Sequence, residues 1–208
     1  ELFWMECMLM NNKNIENNSP KESTLAQIEN KTTALLIIDV QERLITSIKH
    51  KEIILYNIKK LIEAVNILKV EKFFSEQNPE KLGPTSNLIG CGQEIHAHTK
   101  MSFSCISCTE LITTLKERNI ENLILCGVES HICVQQTAID LRKTGFNIFI
   151  TIDAIGSRKE IDHLTAIRRM EHAGIVATTT ESAIFELCRT AERKEFKLIS
   201  NLIKETKF

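Results

Sequence analysis

Two cysteines, Cys126 and Cys133, lie close together in the stretch LILCGVESHICVQQTAIDL (residues 123–141), but in different surroundings. Cys133 comes at the start of a predicted helix, where unpaired N–H groups and the helix dipole favour a thiolate. Cys126 lies inside a predicted strand, where a free cysteine behaves as a small hydrophobic residue. The pattern therefore indicates that Cys133 is a candidate nucleophile and that Cys126 is a packing residue.

An acid and a cation elsewhere in the chain could activate the Cys133 thiol. Asp39 closes the predicted strand TALLIID (33–39), and Lys100 lies in the predicted loop HTKMSFS (98–104). A neighbouring ammonium lowers the pKa of a thiol, and a carboxylate can take the thiol proton and return it to a leaving group. Backbone N–H groups in the turn 127–133 would stabilise an oxyanion. These are the groups needed for acyl transfer or amide hydrolysis.

Strands and helices that alternate along the chain would bring these residues together. Continuous apolar runs are typical of strands buried on both faces, and the segments between them have apolar residues at helical spacing. This alternation predicts an α/β fold, a three-layer α/β/α sandwich with a mainly parallel, Rossmann-like six-stranded sheet. Ligands bind beyond the carboxyl ends of such strands, where Asp39, Lys100 and Cys133 are expected. The predicted strands are 33–39, 70–75, a short central strand near 94–97, 122–128, 146–154 and 175–179, and the main predicted helices are 52–69, 109–119, 132–145 and 159–174.

Composition restricts the class of protein. With 208 residues, 43% of them apolar and 25% charged, the chain is long enough for one domain with its own core. A net charge of −1 provides no long-range field for nucleic acid or anionic membranes. No apolar run approaches the roughly 20 residues of a membrane span. The seven cysteines are irregularly spaced, which indicates a reducing, cytoplasmic location. We expect no nucleic acid and no membrane as partners.

Residues 1–30 differ in composition from the rest of the chain. Their second part, NNKNIENNSPKESTLAQIEN, is polar and Asn-rich and has almost no apolar periodicity. We expect a flexible N-terminal extension over residues 1–30, followed by a single catalytic domain over residues 31–208.

Three segments of that domain resemble segments of one enzyme family. GVESHICVQQTAIDL resembles the nucleophile turn of the isochorismatase-like cysteine hydrolases, TALLIIDVQERL resembles their first strand with its Asp, and KMSFS resembles their catalytic-lysine segment. The order Asp, Lys, Cys also matches, as do the closing segments ITIDAIGSR and TTTESAIFEL. The resemblance runs from about Thr33 to the C-terminus and identifies residues 31–208 as an isochorismatase-like hydrolase domain.

The resemblance implies a role for each matching residue. Cys133 would be the nucleophile, Asp39 the general base and Lys100 the supporting cation. A non-proline cis peptide is implied at Val128–Glu129, and the N–H groups of Glu129 and Cys133 would form the oxyanion hole. The implied reaction is hydrolysis of a small-molecule substrate, an amide, imide or carbamoyl compound, through a covalent Cys133 intermediate. Proteins of this family frequently form homo-oligomers.

The segment after the second predicted strand departs from one branch of that family. Members that hydrolyse nicotinamide carry an Asp and two His there that bind a metal, whereas SEQNPEKLGPTSNLIG contains neither residue type. The stretch EQNPEKLGPT resembles instead a short subgroup of isochorismatase-domain hydrolases that lacks these metal ligands. We therefore expect no metal and no cofactor.

A pair of cysteines has both a metal-binding and a structural interpretation. Cys105 and Cys108 form a C-x-x-C pair, and Cys91, His96 and His98 precede it, so a zinc site is conceivable. The irregular spacing favours loop or core cysteines instead.

Two aromatic residues and a histidine lie near the expected mouth of the site. Phe74, Phe103 and His131 could line an apolar substrate pocket. The alternatives are core packing for the phenylalanines and a solvent-facing imidazole for His131.

A catalytically silent isochorismatase-fold protein, acting as an oligomeric binding or interaction module, is the alternative function. The apolar C-terminal segment FKLISNLIK could form the interface of such an assembly. Retention of Asp39, Lys100 and Cys133 favours the hydrolase, because a scaffold has no need of these residues.

Overall fold

The computed structural model describes residues 27–90 and 95–205. Most of the predicted N-terminal extension, residues 1–26, therefore lies outside the described chain. Ile28 packs in the core with 1% of its surface exposed, and its N–H donates to the Glu186 carboxylate at 3.1 Å. The packed domain thus begins before the predicted boundary at residue 31.

One sheet of parallel strands has the order β3-β2-β1-β4-β5-β6. In this doubly wound order, the direction of winding reverses between β1 and β4. The predicted six-stranded, Rossmann-like sheet is confirmed. The strands are β1 (Thr33–Ile38), β2 (Glu71–Gln77), β3 (Ala97–Lys100), β4 (Asn122–Val128), β5 (Asn147–Gly156) and β6 (Val176–Thr178).

Helices cover both faces of the sheet, which confirms the three-layer arrangement. They are α1 (Glu42–Ile45), α2 (Lys51–Leu68), α3 (Pro79–Leu82), α4 (Thr109–Glu117), α5 (Gln135–Lys143), α6 (Glu160–His172), α7 (Thr180–Cys188) and α8 (Phe196–Lys204). On one face, α2, α7 and α8 pack on a core that includes Leu35 and Ile37. On the other face, α4, α5 and α6 pack on a core that includes Leu36 and Ile38. Successive β1 residues point into opposite cores, which explains why TALLII has no charged position.

One strand differs from the sequence prediction. The short strand expected in the centre of the sheet near 94–97 is β3, Ala97–Lys100, which lies at the edge beside β2. Its sequence AHTK is polar enough for an edge position, whereas buried parallel strands are apolar along their length. Lys100 is therefore the last residue of a strand and not a loop residue, so the sheet fixes its backbone.

Two other segments contain more regular structure than predicted. The segment that follows β2, where the sequence predicts neither a strand nor a main helix, includes α3 and a 3-10 turn at Asn87–Ile89. The predicted helix 132–145 corresponds to α5, and a π-helical segment, Ser130–Val134, precedes it. Among the helices of residues 27–90 and 95–205, none combines the length and the apolar character that a membrane span requires.

Candidate active site

The carboxyl ends of β1 and β3 bring Asp39 and Lys100 into a buried ion pair. Lys100 Nζ donates to Asp39 Oδ2 at 2.6 Å, and the two side chains are 1% and 0% exposed. Ser75, from the intervening strand β2, donates its hydroxyl to Asp39 Oδ1 at 2.7 Å. Both oxygens of the Asp39 carboxylate therefore have donors, and three neighbouring strands hold the group in place.

Two buried amides, Gln41 and Gln77, extend this network. Lys100 Nζ donates to Gln77 Oε1 at 3.3 Å, and Gln77 Nε2 donates to the Met101 carbonyl at 2.8 Å. Gln41 accepts the Gln77 N–H at 2.8 Å and donates Nε2 to the Gln77 carbonyl at 3.0 Å. Ser75, Gln41 and Gln77 were not among the site residues predicted from the sequence. The feature that could have indicated them is a polar side chain within or just after a buried strand.

Cys133 lies beside this ion pair, in the π-helical segment between β4 and α5, and is 5% exposed. Burial raises the pKa of its thiol well above the usual value, and the neighbouring Asp39 carboxylate raises that pKa further. Lys100 lowers the pKa without compensating for these effects. Desolvation and a neighbouring anion outweigh the cation, so these surroundings favour a neutral resting thiol over the thiolate that the sequence pattern predicts.

Lys100 keeps its proton at neutral pH. Burial alone lowers its pKa, but attraction to Asp39, with further contributions from Cys105 and Cys133, raises the pKa of Lys100 above its usual value. Asp39, Lys100 and Cys133 together therefore present one carboxylate, one ammonium and one neutral thiol, which sum to no net charge.

Gly127, near the end of β4, lets β4 approach β1 closely beside the site. Its φ is +117°, and a Cβ at this position would overlap the backbone of Ile38, the residue before Asp39. One residue further along, the Val128–Glu129 peptide bond is cis, the geometry that the resemblance implies. The strand ends that carry Asp39 and Cys133 are thus held together by backbone packing that only glycine permits.

The turn after β4 contains both residues whose N–H groups were predicted to form an oxyanion hole, Glu129 and Cys133. His131 lies between them in the sequence. Its Nδ1 is 2.9 Å from the Ser157 hydroxyl, and its Nε2 is 3.9 Å from the Asp162 carboxylate. The imidazole thus contacts the segment that follows β5, and its contact with a substrate stays a prediction.

The two phenylalanines predicted near the mouth have different surroundings. Phe74 is buried in the core that α2 covers, whereas Cys133 belongs to the core on the opposite face of the sheet. Strand residues alternate between faces, so the preceding residue, Phe73, is the one on the Cys133 side, and the pocket role of Phe74 stays a prediction. Phe103 is 50% exposed and Met101 is 72% exposed, so the segment after β3 presents apolar side chains to solvent.

Cys105 and Cys108 are buried in the same core as Cys133. Burial raises the pKa of the Cys105 thiol to about 11, and burial likewise raises the pKa of Cys108. Within residues 27–90 and 95–205, no group of three or more His, Cys, Asp or Glu side chains is arranged to hold a metal ion. Cys91, the other cysteine of the conceivable zinc site, lies outside these ranges.

Comparison with known protein families and curated proteins gives a consistent result. The family model described as an isochorismatase domain matches residues 33–182. A curated protein from Danio rerio, isochorismatase domain-containing protein 2, is 31% identical over 179 residues, which cover 86% of this chain and 90% of that protein.

Solved structures with the same fold include a ribonuclease and a hydrolase. The MAR1 ribonuclease from Caenorhabditis elegans has 36% sequence identity and a TM-score of 0.80, with 86% of this chain and 92% of that chain covered. The YcaC gene product from Escherichia coli, described as an octameric hydrolase of unknown specificity, has a TM-score of 0.76 over 86% of this chain and 95% of that chain. Its sequence identity of 19% makes this a likeness of fold alone.

Proposed function

This chain belongs to the isochorismatase family, and from that premise we propose that it is a cysteine hydrolase of small amides, imides or carbamoyl compounds. The main support is the position of the Asp39 carboxylate, which accepts a hydrogen bond from the Lys100 ammonium and lies beside the Cys133 thiol, whose pKa it raises. A carboxylate in contact with a thiol is placed to act as the general base for a nucleophile. Asp39, Cys133 and Lys100 are thus the proposed base, nucleophile and supporting cation.

In the proposed reaction, Cys133 Sγ attacks the substrate carbonyl carbon while Asp39 takes the thiol proton. The N–H groups of Glu129 and Cys133 donate to the oxygen that becomes negative. Asp39 returns the proton to the leaving nitrogen, the C–N bond breaks, and an amine or ammonia departs. A water molecule that Asp39 deprotonates then hydrolyses the thioester, which releases the acid and restores the Cys133 thiol.

The raised pKa of Cys133 supports activation by a base during attack. A thiol that is protonated at rest becomes an efficient nucleophile when a base removes its proton as the new bond forms. Asp39 is suited to this task because Ser75 and Lys100 fix its carboxylate in contact with the thiol.

The charge balance of the site supports an uncharged substrate. The Asp39 and Lys100 charges compensate each other, so this pair offers no excess charge to an ionic ligand. Met101 and Phe103, exposed just after Lys100, provide apolar surface for the body of a small molecule. Small neutral amides, imides and carbamoyl compounds combine these properties.

A homo-oligomer in the cytoplasm is part of the same proposal. The E. coli relative is described as an octamer. In this chain, α8 exposes Leu198 at 56% of its surface, and this helix provides an apolar contact for a second copy. The catalytically silent alternative would share such an assembly and would lack acyl transfer.

Ribonuclease activity is a second candidate, because the C. elegans relative is named a ribonuclease. RNA binding depends on cations that contact phosphate groups. This chain has a net charge of −1, and Lys100 is buried and paired with a carboxylate. These features favour a small neutral substrate over RNA.

Turnover of a panel of small amides, cyclic imides and carbamoyl compounds, followed by mass spectrometry of the products, tests the proposal. A labelled single-stranded RNA is assayed in parallel. The variants are Cys133→Ala and, as a matched control, Cys126→Ala, which removes a fully buried thiol of β4 from the opposite core.

Turnover that Cys133→Ala abolishes and Cys126→Ala retains is the expected result. RNA cleavage that depends on Cys133, without amide turnover, would favour the ribonuclease. Amide turnover that survives Cys133→Ala would overturn the proposed mechanism.

A further inference from the structure

Three consecutive side chains of the nucleophile turn bind one segment of the chain. The turn residues are Glu129, Ser130 and His131, which follow β4 and precede Cys133. Their partners all lie within residues 157–163, the loop after β5 and the first turn of α6. We call residues 157–163 the turn clamp.

The turn clamp makes two hydrogen bonds with the Glu129 carboxylate. Its Oε2 accepts the backbone N–H of Arg158 at 3.1 Å and the Nε–H of the same arginine at 3.0 Å. The Glu129 side chain is 7% exposed, whereas the Arg158 side chain is 58% exposed. The carboxylate is therefore largely removed from water, so losing these donors would leave a buried charge poorly paired.

Ser130 and His131 add two hydrogen bonds to the turn clamp. The Ser130 hydroxyl is 3.0 Å from His163 Nδ1, and His131 Nδ1 is 2.9 Å from the Ser157 hydroxyl. Ser130 and Ser157 are both buried. Hydroxyl groups of buried residues have few alternative partners, so these two contacts restrict the turn to one position.

We propose that the turn clamp positions the oxyanion-hole N–H groups of the nucleophile turn, with His163 acting through Ser130 and Arg158 acting through Glu129. The inference rests on the proposed function, because the N–H groups of Glu129 and Cys133 serve as oxyanion donors only if Cys133 undergoes acylation. Neither His163 nor Arg158 needs to contact the substrate. Both are positioning residues. Arg158 binds Glu129, whose own N–H is one of the donors, and His163 binds Ser130, the next residue in the turn.

Two reagents separate positioning of the N–H donors from reactivity of the thiol. With p-nitrophenyl acetate, the Sγ–acetyl bond forms, the ester C–O bond breaks, p-nitrophenolate leaves and the thiol proton passes to Asp39. That reaction goes through a tetrahedral oxyanion and uses the N–H donors. Iodoacetamide alkylates the same sulfur by displacement of iodide, and no oxyanion forms. The ratio of the acylation rate to the alkylation rate at Cys133 therefore reports on the oxyanion hole.

The variants are His163→Leu, which removes the contact with Ser130, and His163→Asn, whose amide can occupy the place of Nδ1. His172→Leu is the matched control, because His172 lies on the same helix, is exposed and has its Nδ1 2.6 Å from the Arg168 carbonyl of that helix, away from the turn clamp. Both rates are measured at one pH on full-length protein, with the modified residue mapped by mass spectrometry. The thermal unfolding midpoint of each variant is recorded as a check on folding.

His163→Leu is expected to lower the acylation rate about tenfold while the alkylation rate changes by less than about twofold. His163→Asn should restore most of the acylation rate, and His172→Leu should change neither rate. Equal losses in both rates, or no loss in His163→Leu, would overturn the positioning role. A wild-type protein that is alkylated but never acylated at Cys133 would instead contradict the proposed function itself.

Discussion

The Nζ of Lys100 lies 2.6 Å from the Asp39 carboxylate, although 61 positions separate the two residues in the sequence. Both side chains are almost completely removed from water. Desolvation of two charges is expensive, and the pair persists because Ser75 and Gln77 provide further hydrogen bonds to it. Removing either charge therefore leaves the other buried and unpaired, so single and double variants can measure the energetic coupling of the pair.

Replacing one partner of this pair should destabilise the protein more than replacing both. Lys100→Met leaves a buried carboxylate and should lower the free energy of unfolding by about 3–5 kcal/mol, and Asp39→Asn should have a similar effect through an unpaired ammonium. The double variant should lose less than the sum of the two single losses. Urea unfolding at neutral pH measures each value.

Lys143→Met is a suitable control for this comparison of single and double variants. Lys143 pairs with Asp140 at 3.4 Å, but its side chain is 70% exposed, so its removal should cost about 0–1 kcal/mol. If the double variant loses as much free energy of unfolding as the two single variants together, Asp39 and Lys100 are not coupled.

Alkylation of Cys133 should be slow at neutral pH, because burial and Asp39 raise the pKa of its thiol. Only the thiolate reacts with iodoacetamide, so the rate should rise about tenfold per pH unit through the alkaline range without a plateau near neutrality. Asp39→Asn removes the neighbouring anion and should shift this profile to lower pH, while it slows acylation by removing the base. A plateau near neutral pH in the wild type would show instead that Cys133 rests as a thiolate.

The free energy of unfolding should fall as the solution becomes alkaline. Burial raises the pKa of the Cys105 thiol from its ordinary value of 9.0 to about 11. Between these values the unfolded chain loses the proton that the folded chain retains, so stability is complete below pH 9 and decreases above it. The loss from this group should approach roughly 3 kcal/mol. Urea unfolding of the wild type and Cys105→Ala across this range should give a smaller decline for the variant, and equal declines would exclude Cys105 as a cause.

Gly127→Ala should disrupt the contact between β1 and β4 next to the site. An added Cβ would overlap the Ile38 backbone, and φ of +117° is unfavourable for alanine, so we expect a loss of about 3 kcal/mol or more. Gly145→Ala is the control, since φ there is +102° but no atom lies within 4 Å of the added Cβ. That variant should lose only about 1–2 kcal/mol from backbone strain. Similar losses in the two variants, measured by thermal unfolding, would show that the close approach at Ile38 is unimportant.

Sequence reasoning predicted the fold well wherever local pattern and burial agree. The strand predicted over 122–128 is β4, and the helix predicted over 52–69 is α2, Lys51–Leu68. Apolar runs and helical periodicity define such elements because both depend on the residues of the element itself. The strand that ends at Lys100 was misplaced, since its sequence AHTK has no apolar pattern to mark it.

The candidate site was only partly predictable for a different reason. Asp39, Lys100 and Cys133 come together at the strand ends as the parallel sheet requires. The contributions of Ser75 and Gln77 depend on pairing across β2, and the neutral state of the Cys133 thiol depends on burial beside a carboxylate. Both are properties of three-dimensional neighbours that are distant in the sequence, so no local motif reports them.

The central claim, that Cys133 becomes acylated with Asp39 as its base, has one direct test. The protein is mixed with p-nitrophenyl acetate at neutral pH, quenched within the first turnover, and digested for mass spectrometry. We expect an acetyl group on the peptide that contains Cys133, much less of it in Asp39→Asn, and unchanged acetylation in Cys126→Ala. Acetyl groups spread over several cysteines, or acetylation of Cys133 that is as fast in Asp39→Asn as in the wild type, would contradict the claim.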